Sequence, residues 1–126
     1  MLDTNAASEL IRNPAGRVAQ RVRGGAGIAL SIIVAAELRF GSVRRGSARL
    51  TKAMEEVFDL LPVLPFEPPA DQVYGELRRA LEATGTTLDA NDLLIAAHAL
   101  TLDRVLVTDD RAFLRVPELV VENWLR

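Results

Sequence analysis

Residues 91 to 100 read Asn-Asp-Leu-Leu-Ile-Ala-Ala-His-Ala-Leu, and a helix drawn on them is apolar on almost every side. Such a segment persists in water only when other elements cover it, so it predicts a buried central helix. The rest of the chain supplies the cover. Short apolar, β-branched runs at Ile28 to Leu30, Val63 to Phe66, Val105 to Val107 and Leu119 to Val121 read as strands. Between them lie helical patterns: Ala6 to Arg12, a second short helix with Val18 and Val22 on one face, and Ile32 to about Arg45. Two more follow, one carrying Leu50, Met54, Val57, Phe58 and Leu61, and one opened by Pro68-Pro69 with Val73, Leu77, Ala80 and Leu81 on one side. Strands alternating with helices call for right-handed crossovers, and hence for a three-layer α/β/α sandwich around a central parallel sheet.

With 126 residues, 49% of them apolar, the chain can bury a core as one domain spanning 1–126. It has no cysteine, so a disulfide framework and a thiolate metal site are excluded and a reducing cytoplasm suits it. No apolar run approaches the roughly 18 residues of a membrane span, and a soluble, cytoplasmic protein without a membrane partner is expected.

Charge is distributed unevenly. Residues 1 to 53 hold 9 of the 15 lysines and arginines but only 3 of the 17 acids, although the whole chain carries a net charge of -2. A basic face of this kind can meet a polyanion. Arg12, Arg17, Arg21 and Arg23 equally fit the outer face of a helix, so charge alone does not choose between a polyanion site and solvated surface.

The chemistry is carried by carboxylates. Ligands of open parallel sheets bind beyond the carboxyl ends of the strands, where helix N-termini also lie. Asp3 follows the first short apolar segment, Met1-Leu2, and Asp110 follows the strand ending at Val107. Glu37 is in the second turn of the helix after Ile28 to Leu30, and Asp92 is in the first turn of the buried helix. Taken singly, Asp92 reads as a helix cap with Asp89, Asp3 as a turn residue, and Asp110 beside Asp109 as a polar loop. Glu37 resists such a reading, because it lies six residues past the capping Ser31 in an otherwise apolar stretch. Crowded carboxylates repel one another unless a cation neutralises them, and hard oxygen donors select Mg2+ or Mn2+. A site of that kind, without a cysteine nucleophile, suits hydrolysis of a phosphodiester. His98, Phe113 and Trp124 are expected to be packing residues rather than a general base or stacking platforms.

The sequence resembles the PIN-domain ribonucleases and, among them, the VapC toxins of toxin–antitoxin pairs. The resemblance rests on Leu2-Asp3-Thr4-Asn5, on Ser31 through Glu37-Leu38 with Gly41, and on Asn91-Asp92-Leu93-Leu94-Ile95-Ala96-Ala97. Val107-Thr108-Asp109-Asp110 with Phe113, and Val121-Glu122-Asn123-Trp124, complete it. It implies a PIN-like fold and a Mg2+- or Mn2+-dependent endoribonuclease acting on transfer RNA or other structured RNA. Asp3, Glu37 and Asp92 match the three principal acids and Asp110, through its spacing to Phe113, the more variable fourth. Asn5 and Thr108 match the supporting polar residues.

The resemblance further implies a homodimer, silencing by a VapB-type antitoxin that covers the acidic site, and contact with operator DNA only through that complex. It also implies a few more apolar residues ahead of the first acid than Met1-Leu2 provide. Arg39, Arg44, Arg45 and Arg49 are expected to hold the RNA backbone. Two competing readings are a phosphorelay receiver-type domain, which needs a lysine after a late strand where the only lysine is Lys52, and a non-catalytic PIN-like binding module.

Overall fold

The computed structural model describes residues 1–126. At its centre Leu2 lies between two parallel strand pairs, bridging Leu30 on one side and Val107 on the other. Strand β1 (Leu30–Ser31) pairs in parallel with β2 (Val63–Leu64), and β3 (Leu106–Val107) pairs in parallel with β4 (Val121–Glu122). The sheet therefore runs β2, β1, Leu2, β3, β4, with every neighbour parallel. The Leu2 N–H donates to the Ala29 carbonyl (3.1 Å), the Asp3 N–H to Val107 (3.0 Å), and the Val107 N–H to Met1 (2.8 Å). These bonds fix Asp3 at the point where the central segment leaves the sheet.

Six helices cover the sheet: α1 (Thr4–Arg12), α2 (Arg17–Gly24), α3 (Ile32–Arg45), α4 (Ala48–Leu60), α5 (Ala70–Ala83) and α6 (Ala90–Thr101). One group forms where α1 packs on α2, α3 and α4, and a second where α6 packs on α5; α3 touches both α1 and α6. The expected α/β/α arrangement is thus observed. As the composition of residues 91 to 100 predicts, α6 is the enclosed helix, with Leu93, Ile95, Ala96, Ala97, His98 and Ala99 all buried. Burial of large aliphatic side chains such as Leu93 and Ile95 contributes about 1.5–3 kcal/mol each.

Capping explains where the helices begin. Asp3 caps α1 through Ala6 N–H, Ser31 caps α3 through Ile33 N–H, and Asp89 caps α6 through the N–H groups of Asn91 and Asp92. Each cap satisfies a donor that the helix itself cannot. Helix α3 stops at Gly46, whose φ of 64° is in the left-handed region that glycine enters without steric penalty. The connection to α4 is correspondingly tight, and a 2.6 Å hydroxyl hydrogen bond between Ser42 and Thr51 closes the α3–α4 hairpin.

Local limits shift, β2 and β3 being shorter than Val63 to Phe66 and Val105 to Val107. Pairing falls on Leu30–Ser31 rather than Ile28 to Leu30, and on Val121–Glu122 rather than Leu119 to Val121. The limits are set by partners across the sheet, which a β-branched run does not reveal. Ala80 is exposed, because the buried stripe of α5 passes through Ala70, Leu77 and Leu81 and leaves Ala80 at its edge. No helix is long and apolar enough to cross a membrane.

Candidate active site

Asp3 is only 4% exposed. Its Oδ1 accepts the Ala6 N–H at 2.8 Å. Burial raises its pKa; the Thr108 hydroxyl and the Ala6 N–H pull the other way, while the charges of Asp109 and Asp110 push it up further. Thr108 is itself buried and accepts the Asp110 N–H at 3.0 Å. Thr108, one residue past β3, therefore stands beside the central acid.

Glu37, half-buried on α3, accepts a 2.6 Å hydrogen bond from the Thr4 hydroxyl. A donor this close to a carboxylate fixes its direction. In the sequence Thr4 figures only as a part of the Asp3-Thr4-Asn5 motif; its hydroxyl next to Asp3 is the available signal. Asn5, by contrast, is exposed in the first turn of α1, and no hydrogen bond joins its side chain to the acids.

Asp92 is not the cap of α6, since Asp89 fills that role. Its carboxyl is pushed up to about 6 by partial burial first, then by the negative charges of Asp89, Asp110, Glu37 and Asp3. Asp3, Glu37 and Asp110 thus lie close enough to Asp92 to oppose its ionisation. Asp110, which caps the short 3₁₀ turn Arg111–Arg115, is felt at both Asp92 and Asp3, whereas Asp109 is felt at Asp3 alone.

No three of these acids stand close enough to form a ready-made metal cage. Three of the carboxylates accept from local donors: Asp3 from Ala6, Glu37 from Thr4 and Asp110 from Ala112. The donor set still fits a hard divalent ion, because all the donors are carboxylate oxygens and their repulsion is what such an ion relieves.

Beside Glu37 opens a cavity of about 210 Å³ between α1, α3 and α4, with Thr4, Arg12, Arg44 and Arg45 on its walls. Of the four arginines expected at a polyanion, Arg44 and Arg45 are here. Arg49 is exposed on α4 and does not line the cavity. Arg39 is turned to α4, ion-paired with Glu55 and stacked 4.7 Å from the Phe58 ring centre. Lys52 pairs with Glu56 within α4 at 4.0 Å, and no lysine follows β3 as a receiver site requires. His98 is 1% exposed, as a packing residue should be; Phe113 is 1% exposed, and Trp124 is partly buried beneath Arg21.

The model of the PIN domain family matches residues 1–119. Ribonuclease VapC2 of Rickettsia felis is 38% identical over 99 residues, covering 77% of this chain and 74% of that protein. The tRNA(fMet)-specific endonuclease VapC of Salmonella typhimurium is 31% identical, covering 98% of this chain and 96% of that protein. Among solved structures, VapBC2 from Rickettsia felis, bound to a DNA fragment from its promoter, superposes with a TM-score of 0.90. It is 33% identical and covers 98% of this chain and 97% of that one. With its sheet order, its converging acids and these relatives, the chain belongs to the PIN-domain family, in the VapC group.

Proposed function

We propose that this chain, as one PIN domain over residues 1–126, is a metal-dependent endoribonuclease and the toxin of a toxin–antitoxin pair. The observation that carries this reading is that Asp92, on α6, feels the negative charges of Asp3, Glu37 and Asp110, which come to it from three other parts of the chain. The names of its relatives support the activity. Asp3, Glu37, Asp92 and Asp110 would hold Mg2+ or Mn2+, which supplies polarisation of a phosphate oxygen and a lowered pKa for an attacking water.

The remaining work belongs to the chain's own side chains. Asp3 is held by its own N–H on the Val107 carbonyl and by the Ala6 N–H on its carboxylate, and Glu37 is aimed by Thr4. Asp92 rides on the enclosed helix, so its carboxylate is placed by a packed element and not by a loop. Arg44 and Arg45 offer positive charge to the RNA backbone next to Glu37. A VapB-type antitoxin is the partner, because the solved relative is a VapBC complex on promoter DNA; contact with operator DNA then comes through that complex. A homodimer in the cytoplasm and a structured RNA, transfer RNA first, complete the reading.

Sequencing RNA ends in cells expressing the wild type or Asp92→Asn tests it. New ends are expected only with the wild type, and identical end profiles at equal protein levels overturn the nuclease assignment. Thr4→Val should lower kcat about 10-fold with little effect on folding, since removing a group that orients a ligand costs about 10- to 100-fold; an unchanged kcat removes Thr4 from the site. Replacing Arg44 and Arg45 together by Ala should flatten the dependence of log KM on log salt by about 1 to 2. Arg39→Ala should change that slope less, its charge being already matched by Glu55; the reverse order of effects would move the RNA path to the α4 side.

A further inference from the structure

His98 and Ser31 are buried, at 1% and 0% exposure, and His98 Nδ1 lies 2.7 Å from Ser31 Oγ. This hydrogen bond joins residues 67 apart in sequence and connects α6 to the cap of α3. Ser31 Oγ also accepts the Ile33 N–H at 3.0 Å, so its rotamer is fixed by α3 itself. His98 Nε2 has no partner at full hydrogen-bond geometry, the Pro65 backbone acting on the ring only loosely. A buried polar atom left unpaired costs free energy, and a leucine here would avoid that cost. What the ring gains at this position is the hydrogen bond with Ser31, together with edge packing against Phe66 at 5.4 Å.

That contact has a geometric consequence. Asp92 precedes His98 by six residues on α6, and Glu37 follows Ser31 by six residues on α3. At about 1.5 Å of rise per residue, each acid stands about 9 Å along its own helix from the hydrogen bond. Ser31 meets His98 where α3 packs on α6, and Asp92 lies N-terminal and Glu37 C-terminal to that contact by the same six residues, so with the helices passing in opposite senses the acids come level. A slip of one residue in either helix moves its acid by about 1.5 Å and turns it by about 100°.

We propose that the buried His98–Ser31 pair is a positioning device that sets the register of α3 against α6 and thereby the separation of Glu37 and Asp92. Neither residue touches substrate; both act through the helices they join. The inference rests on the nuclease reading for its effect on turnover, but not for its effect on helix register.

The chain has no cysteine, so spin labels at Val43→Cys on α3 and Ala90→Cys on α6, both exposed, report the distance between the helices by pulsed electron resonance. His98→Leu and Ser31→Ala each remove the contact. His98→Asn keeps a nitrogen near the place of Nδ1. Ser47→Ala deletes a helix cap of the same kind without touching the pair. Loss of the contact should shift or broaden the label distance by about 1.5 Å or more. It should also lower kcat about 10- to 100-fold at an unchanged KM, as expected for a misplacement of about 1 Å at a reacting centre. His98→Asn should restore both, and Ser47→Ala should leave both unchanged.

Folded His98→Leu and Ser31→Ala proteins with the wild-type distance overturn the proposal, as does a fall in kcat without a change in distance or a change in distance without a fall in kcat. Should His98→Leu fail to fold, Ser31→Ala decides the matter; if that variant also unfolds while Ser47→Ala does not, the pair serves general stability and the positioning role is wrong. A wild type that cuts no RNA sinks the nuclease reading and leaves the distance test standing.

Discussion

Asp92→Asn is expected to raise the melting temperature of the metal-free protein at pH 7.5 while lowering RNA cleavage at least about 100-fold, since a metal-held charge at a phosphate contributes several kcal/mol to the transition state. The stability gain follows from the Asp92 pKa, pushed from 3.8 to about 6 by burial and by the neighbouring acids. A carboxyl whose pKa rises on folding favours the native state fully below its unfolded value, and that contribution is lost as pH rises through the folded value. At pH 7.5 the native protein therefore holds an unfavourable charge, which Asn removes without changing shape.

A rise of that size corresponds to about 3 kcal/mol at most. Partial exposure screens this, and the lost attraction of a charge in the first turn of α6 to the helix dipole takes back about 0.3–1 kcal/mol. A net gain of about 1–2 kcal/mol remains, or roughly 3–8 °C for a chain of this size. The difference between variant and wild type should vanish near pH 3.5, where Asp92 is largely protonated in both states. Thermal melts at the two pH values check this. A variant that melts at or below the wild-type temperature at pH 7.5 contradicts the crowding of acids around Asp92.

What could be read in the sequence was whatever a residue type and a local interval encode. The enclosed helix was legible because its apolar character is unbroken from Leu93 to Leu100 apart from His98. The acids were legible because strand ends and helix starts share one edge of a parallel sheet. The strand limits were not, since pairs only two residues long are defined by bonds such as Leu106 N–H to the Val120 carbonyl, between chain segments with no local relation. Thr4 escaped for the same reason, its partner Glu37 being 33 residues away. Arg39 looked free only because Glu55, its partner on the next helix, is 16 residues further on. Pairings across elements set the details; periodicity set the elements.

Supplying Mn2+ at about one hundred times its dissociation constant should stabilise the wild type at pH 7.5 by about 2.7 kcal/mol, the value mass action gives for a ligand bound only by the native state. The sign follows from the acids: burial and mutual repulsion raise both Asp3 and Asp92, so their charges disfavour the metal-free fold at neutral pH and a cation between them removes that cost. The gain should shrink by pH 5, where protons compete for the same carboxyl oxygens. His98 works in the opposite direction as pH falls. Burial lowers its pKa from 6.5, against the Pro65 backbone and aided by the charge of Arg104, so its neutral ring favours the fold above 6.5 and that contribution is lost as pH drops through the folded value. Because His98 is present with and without the ion, the difference between melts with Mn2+ and with a chelator isolates the carboxylates. In Asp92→Asn that difference should fall by more than half. A wild type whose melting temperature at pH 7.5 ignores Mn2+, or an Asp92→Asn protein that responds as strongly, would mean that these carboxylates crowd one another without sharing a cation.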